Sequence, residues 1–172
     1  MSLSMYQLTV PPFVQTLGAM SAYLGKAEAH ALARKFDSGL LLASRLAPDM
    51  FPLSRQVEIA CDFAKNTMAR LTGVELASWK RDEKTIADLR ERISKTLDYV
   101  RSFKANQLDG AEARDVTITL AGNAVSFQGQ AYLVHFVLPN FYFHASIAYA
   151  ILRQNGVDLG KRDFMGSVPG LI

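Results

Sequence analysis

The spacing of apolar residues near the start of the chain limits most strongly what it can fold into. These residues recur at alternating intervals of four and three: Phe13, Leu17, Met20, Leu24, Ala27 and Ala31. This spacing places all six on one side of an α-helix, a pattern typical of helices that pack in a bundle. Because proline suits the first turn of a helix, Pro11-Pro12 predict its start, and the helix should run to about Arg34.

Three later segments repeat the helical period. The second helix is predicted to begin at Pro52 and to end before Gly73, since glycine readily adopts the left-handed conformation of a C-cap. The third should span about residues 82–103. The fourth should begin at Pro139 and end at Asn155-Gly156. These segments predict a bundle of four long helices.

A short stretch between the third and fourth helices has a different period. From Val116 to Leu120, apolar residues alternate with threonines, which predicts a half-buried strand. Residues 121–124 form a turn, and Val125 begins the returning arm. We therefore expect an all-α protein with a small β-hairpin inserted before the last long helix. No repeat or compositional break divides the chain, so residues 1–172 are predicted to form a single domain.

The composition excludes several classes of protein. With 49% hydrophobic and 20% charged residues, the chain is not of a disordered type. Nineteen basic against 16 acidic residues give a net charge of +3, too small to predict nucleic-acid binding. No apolar run is long enough to predict a membrane helix, and the first ten residues do not resemble a signal peptide. A single cysteine excludes an internal disulfide framework, so we expect a cytoplasmic protein.

His144 is the most suggestive polar residue. The chain has three histidines, His30, His135 and His144, and none forms the i, i+4 pair of a helical metal site. His144 shares a predicted helix face with Asn140. It is therefore either a hydrogen-bonded core histidine or a metal ligand or acid–base group. Asn140 either stabilises the helix start or serves as a polar partner of His144.

Cys61 and Asp62 are two further candidates, near the middle of the second helix. Cys61 lies close to the apolar stripe, so it is either a small buried hydrophobic residue or a reactive thiol. Asp62 lies to one side, where it would pair with Lys65 or Arg55. If Asp62 faces inward instead, it is a buried carboxylate with a functional role.

Several segments together resemble a known family. They are residues 45–50, residues 56–62, the aromatic stretch Pro139–His144, and residues 148–164. In these segments, which cover nearly the whole chain, the sequence is similar to an uncharacterised bacterial family of unknown function grouped with the DinB-like proteins. The resemblance implies an antiparallel, up-down four-helix bundle that often forms homodimers.

The same resemblance implies a metal site. DinB-like relatives typically bind a divalent metal such as zinc or nickel through three histidines, one on the second helix and two on the last. His144 matches the second of the last-helix pair, and Asn140 stands at the position of the first. Residues 59–62 match the second-helix region without a histidine, so Cys61 or Asp62 would have to substitute. The implied metal site is incomplete, with His144 as its candidate ligand.

Two functions follow as hypotheses. In the first, the protein is a metal-assisted hydrolase or a thiol-dependent transferase, with His144, Asn140, Cys61 and Asp62 forming its site. In the second, it is a non-catalytic dimeric bundle that binds a small apolar ligand or a protein partner. Whether the protein is an enzyme stays open at this point.

Overall fold

The chain folds as four long helices joined by short helices, turns and one hairpin, in a computed structural model that describes residues 3–170. In chain order, the elements are α1 Met5–Ala33, α2 Gly39–Ala43, α3 Leu53–Thr72, α4 Ile86–Arg101, the 3-10 turns Ala105–Leu108 and Ala111–Ala113, β1 Asp115–Leu120, β2 Asn123–Gln128, α5 Gly129–Ala131, a π-helical segment Tyr132–Val137, α6 Leu138–Gln154 and α7 Lys161–Met165. Within the described residues, no helix is both long and apolar enough to cross a membrane.

The four long helices form the predicted bundle. Helices α1 and α3 each pack against both α4 and α6, so all four surround a common apolar core. The six residues of the first predicted stripe, from Phe13 to Ala31, are all buried in that core. The fold class predicted from the helical period is confirmed.

Helix α1 begins earlier than the proline pair predicts. It starts at Met5, and Pro11 and Pro12 lie inside it. A capping box provides the earlier start: the Gln7 N–H donates to Ser4 Oγ at 3.2 Å, and the Ser4 N–H donates to Gln7 Oε1 at 2.9 Å. The prolines remove two backbone donors, but burial of residues in the added turns offsets that cost.

Helices α3 and α4 show where the sequence predicts helix ends well and where it does not. Helix α3 ends as expected at Gly73, whose φ is 77° and whose N–H donates to Ala69 O at 2.8 Å. Helix α4 is shorter than predicted, because Thr85 and Asp88 form a capping box that starts it at Ile86. Residues 74–85 therefore form an irregular connection between α3 and α4.

The predicted hairpin is present. Strands β1 and β2 pair antiparallel, with Val116 opposite Phe127. Ala121 and Gly122 form the turn, with φ values of 48° and 84°. Positive φ at both central residues matches the twist of a tight two-residue hairpin.

The chain leaves the hairpin directly into the last long helix. The helical backbone begins at Gly129, ten residues before the predicted start at Pro139, and it passes through the π-helical segment before α6. Asn140 Nδ2 donates to Phe136 O at 2.6 Å, across the junction of the two segments. Local widening of this kind occurs often at functional sites.

Candidate functional site

His144 lies on the side of α6 that packs against α3. Its side chain is almost buried, with 9% of its surface exposed. The Phe63 ring of α3 stacks on the imidazole, with 6.0 Å between ring centroids and 22° between planes. The Phe143 ring meets it edge-on at 5.3 Å. The imidazole is thus held between aromatic rings from both helices.

Gln56 of α3 is the hydrogen-bond partner of His144. Its Oε1 lies 2.7 Å from His144 Nδ1, and its Nε2 donates to Phe51 O at 3.0 Å. Because a backbone carbonyl can only accept, the Gln56 amide nitrogen must face Phe51, and Oε1 must face the imidazole. Oε1 also can only accept, so Nδ1 carries the proton. This leaves the lone pair on Nε2 whenever the ring is neutral.

The surroundings of His144 keep the ring neutral. Burial, with a smaller contribution from the positive charge of Arg55, lowers the pKa of His144 from 6.5 to about 4. Arg55 Nη1 is itself paired with Glu58 Oε2 at 2.9 Å. At neutral pH, Nε2 is therefore an uncharged acceptor, and no described residue donates a hydrogen bond to it.

Asn140 lies one turn before His144 on the same helix. Its amide nitrogen is used by the bond to Phe136 O, within its own helix. This bond supports the change from π-helical to α-helical backbone. The structure thus gives Asn140 a role in the helix, and Gln56 takes the place beside His144 that the sequence proposed for Asn140.

Cys61 is completely buried and contacts α4. Its thiol lies beside the Thr96 hydroxyl, and burial raises the pKa of the thiol to about 12. A thiol with so high a pKa is almost entirely protonated at neutral pH, so it is a poor nucleophile and metal ligand. The geometry is that of a small core residue.

Asp62 points toward α4 and the connection that precedes it. Its carboxylate lies 2.7 Å from Arg81, 3.8 Å from Lys65 and 3.7 Å from Arg92. The pairing with Lys65 was one of the two expected from the sequence; the other candidate, Arg55, pairs with Glu58 instead. Asp62 belongs to a group of charges on another face of α3 from Gln56.

The donor set around His144 does not fit a divalent metal. Across residues 3–170, no three histidine, cysteine, aspartate or glutamate side chains are grouped closely enough to hold a metal ion. The neighbours of His144 are an amide and aromatic rings, whereas zinc and nickel favour imidazole, thiolate and carboxylate donors. These residues therefore support no chemistry that requires a metal.

Gln56 is the site residue that sequence reasoning missed. It is only 1% exposed, although it is polar and lies in the first turn of α3. The available signal was its spacing: it lies three residues after Leu53 and four before Ala60, two apolar residues of α3, so it shares their helix face. That spacing indicates burial, and a buried amide requires partners. The period of one helix does not say which residue of another helix it faces.

Comparisons with known proteins agree with this architecture. A family model described as a domain of unknown function, DUF1993, matches residues 5–165. The crystal structure of a DinB family member from Shewanella denitrificans is similar, with 40% sequence identity and a TM-score of 0.87. That match covers 97% of this chain and 94% of the other. No curated protein matches the sequence.

Proposed function

Given that the chain belongs to the DUF1993 family of DinB-like proteins, whose function is unknown, we propose that it is a binding protein rather than a metalloenzyme. The ligand is a small, largely apolar molecule that carries one hydrogen-bond donor. It binds beside His144, and Nε2 of that residue accepts its hydrogen bond.

One observation carries this proposal: the hydrogen bond between Gln56 Oε1 and His144 Nδ1. The bond to Phe51 O fixes the Gln56 amide, and the amide fixes the histidine tautomer. A preorganised acceptor loses little side-chain freedom when a ligand binds, which favours affinity. The same arrangement disfavours a ligand that can offer only an acceptor, since it would leave two lone pairs facing each other.

Aromatic side chains support an apolar ligand body. The rings of Phe63 and Phe143 both contact the imidazole, and Phe143 is 52% exposed. A half-exposed ring beside a nearly buried histidine combines apolar contact area with one directional contact, as small-molecule sites commonly do.

The low pKa of His144 favours binding over proton transfer. A general base works best with a pKa near the working pH. Burial holds the pKa of His144 at about 4, so it is a weak base at pH 7. It remains a good hydrogen-bond acceptor under the same conditions.

Two matched probes test the proposal. Phenol has an aromatic body and a hydroxyl donor, whereas anisole has the same body with the donor hydrogen replaced by a methyl group. Isothermal titration calorimetry at pH 7 should show tighter binding of phenol. The expected difference is about tenfold, the value of one net hydrogen bond.

The variant His144→Phe provides the matched control, because it keeps an aromatic ring at the site and removes Nε2. Phenol should then bind no better than anisole. If wild-type protein does not distinguish the two probes, or if the variant still prefers phenol, the acceptor role of His144 is wrong.

The metal hypothesis has its own readout. We expect zinc or nickel chloride to leave the melting temperature of the protein unchanged, since the donors at the site do not form a ligand set. A rise in melting temperature that disappears in His144→Ala would instead support a metal-assisted enzyme.

A further inference from the structure

A cavity lies beside the irregular connection between α3 and α4, away from His144. It has a volume of about 560 Å³. Its lining combines the indole of Trp79 with charged side chains, among them Glu83, Glu91, Arg92 and Lys95. We propose that this cavity binds a small organic cation with N–H donors, a primary ammonium or a guanidinium compound.

Trp79 provides the first argument, because cations already contact its ring. Lys65 Nζ lies 4.8 Å from a ring centroid of the indole, and Lys95 Nζ lies 4.6 Å away. The two lysines differ in how firmly their side chains are held. Lys65 is only 4% exposed and donates to Ala77 O, so it is part of the fold. Lys95 is exposed and forms no ion pair within residues 3–170, so a ligand cation can replace it over the indole.

Glu83 provides an independent argument. Its side chain is 9% exposed, and one carboxylate oxygen, Oε1, binds Arg92. The other oxygen, Oε2, is buried without a hydrogen-bond partner among the described residues. A buried carboxylate oxygen without a donor is costly, and an N–H group of a ligand would satisfy it. This requirement selects an ammonium or guanidinium with N–H groups over a fully methylated cation.

The charges around the cavity favour a cation over an anion. The carboxylates of Asp82 and Glu91 line it and form no ion pair within the described part of the chain. Arg92, the most buried cation of the lining, donates to Glu83 and to the Lys80 carbonyl through Nε and Nη2. Its Nη1 has no hydrogen-bond partner among the described residues, but it lies 3.7 Å from the Asp62 carboxylate, which balances its charge. Counted over the whole lining, the four carboxylates of Asp82, Glu83, Asp88 and Glu91 outnumber the three cations, Lys80, Arg92 and Lys95.

The connection itself keeps these groups in place. Lys65 holds it from α3 through Ala77, and Arg92 holds it from α4 through Lys80 and Glu83. Trp79 lies between these two attachments. Its ring also packs against that of Tyr99 in a T-shaped arrangement, with 6.0 Å between the ring centroids. The indole and Glu83 are therefore held in fixed positions before any ligand arrives.

Intrinsic fluorescence gives a direct test, because Trp79 is the only tryptophan in the chain. The protein is titrated with millimolar methylguanidinium chloride at constant ionic strength, with tetramethylammonium chloride and sodium acetate as comparison salts. We expect a saturable change with methylguanidinium at a concentration at least about tenfold lower than with tetramethylammonium, which lacks N–H donors. Acetate should give no saturable change.

Two variants complete the design without removing the attachments of the connection. Glu91→Gln should weaken methylguanidinium binding, because it removes an unpaired carboxylate from the lining. Lys95→Met should strengthen it, because it removes the competing cation from the indole. Linear, non-saturating quenching by every salt would overturn the proposal. So would equal binding of both cations, or saturable binding of acetate.

Discussion

The buried, neutral state of His144 makes the stability of the protein depend on pH in a defined window. In the folded protein, burial and Arg55 lower the pKa of the imidazole to about 4, whereas the ordinary value is 6.5. Between these two values, the unfolded chain takes up a proton that the folded protein does not bind. The contribution of His144 to the free energy of unfolding is therefore complete above about pH 6.5 and is lost as the pH falls toward 4.

The size of the effect follows from the width of that window. Each pH unit over which the unfolded state holds one more proton lowers the free energy of unfolding by about 1.4 kcal/mol. The whole window from 6.5 to about 4 is therefore worth about 3 kcal/mol, of which about 2 kcal/mol is lost between pH 7 and pH 4.5. That is a large fraction of the stability of an ordinary domain.

Urea denaturation of the wild-type protein and of His144→Gln, each at pH 7 and at pH 4.5, isolates the contribution of His144 to the free energy of unfolding. Glutamine does not titrate, and its amide can still donate to Gln56 Oε1. Carboxylates elsewhere affect both proteins alike, so only the difference between them is used. On acidification, the wild type should lose about 2 kcal/mol more than the variant. Equal losses would refute the argument, since His144 would then be as easily charged in the folded protein as in the unfolded chain.

Three further predictions concern the rest of the fold. Gly129→Ala should destabilise the protein by about 2 kcal/mol in urea denaturation, since its Cβ would lie 1.9 Å from the Ala111 carbonyl oxygen. Gly18→Ala, in the open middle of α1, should instead stabilise it by about 0.5–1 kcal/mol; equal effects would contradict the packing argument. Asp62→Asn should lower the free energy of unfolding by about 3 kcal/mol, because it removes the carboxylate that pairs with the buried cations Lys65 and Arg92. Elemental analysis should show the same metal content in this variant as in the wild type; a lower content would instead make Asp62 a ligand. Native Cys61 should resist iodoacetamide at pH 8 and react only after unfolding, which mass spectrometry measures; alkylation of the folded protein would contradict its burial.

Sequence patterns predict which helices and strands this fold contains better than they predict the residues at which each begins and ends. The apolar period of α1 and the glycine at the end of α3 reflect local geometry, so they could be interpreted from the chain alone. The start of α1 could not, because a capping box at Ser4 and burial of the first turns outweigh the two prolines. Similarly, the π-helical segment Tyr132–Val137 departs from the 3.6-residue period on which the helix predictions rest, so that period could not reveal it.

At the site too, local features could be predicted from the sequence, whereas contacts between helices could not. The position of His144 on an inward face followed from the period of its own helix. Its partner did not, because the choice among Gln56, Cys61 and Asp62 depends on how α3 is rotated against α6 and α4. The structure turns Gln56 toward α6 and directs Cys61 and Asp62 toward α4. A rotation of this kind is fixed by packing between helices, and one sequence does not reveal it.

The central claim is that His144 is neutral at pH 7, with its proton on Nδ1 and its lone pair on Nε2. Long-range proton–nitrogen NMR of the ring nitrogens tests this most directly, with His144→Gln used to assign its signals among those of the three histidines. We expect a protonated Nδ1 and an unprotonated Nε2 at pH 7, and titration only near pH 4. A proton on Nε2, or titration near pH 6.5, would contradict the account.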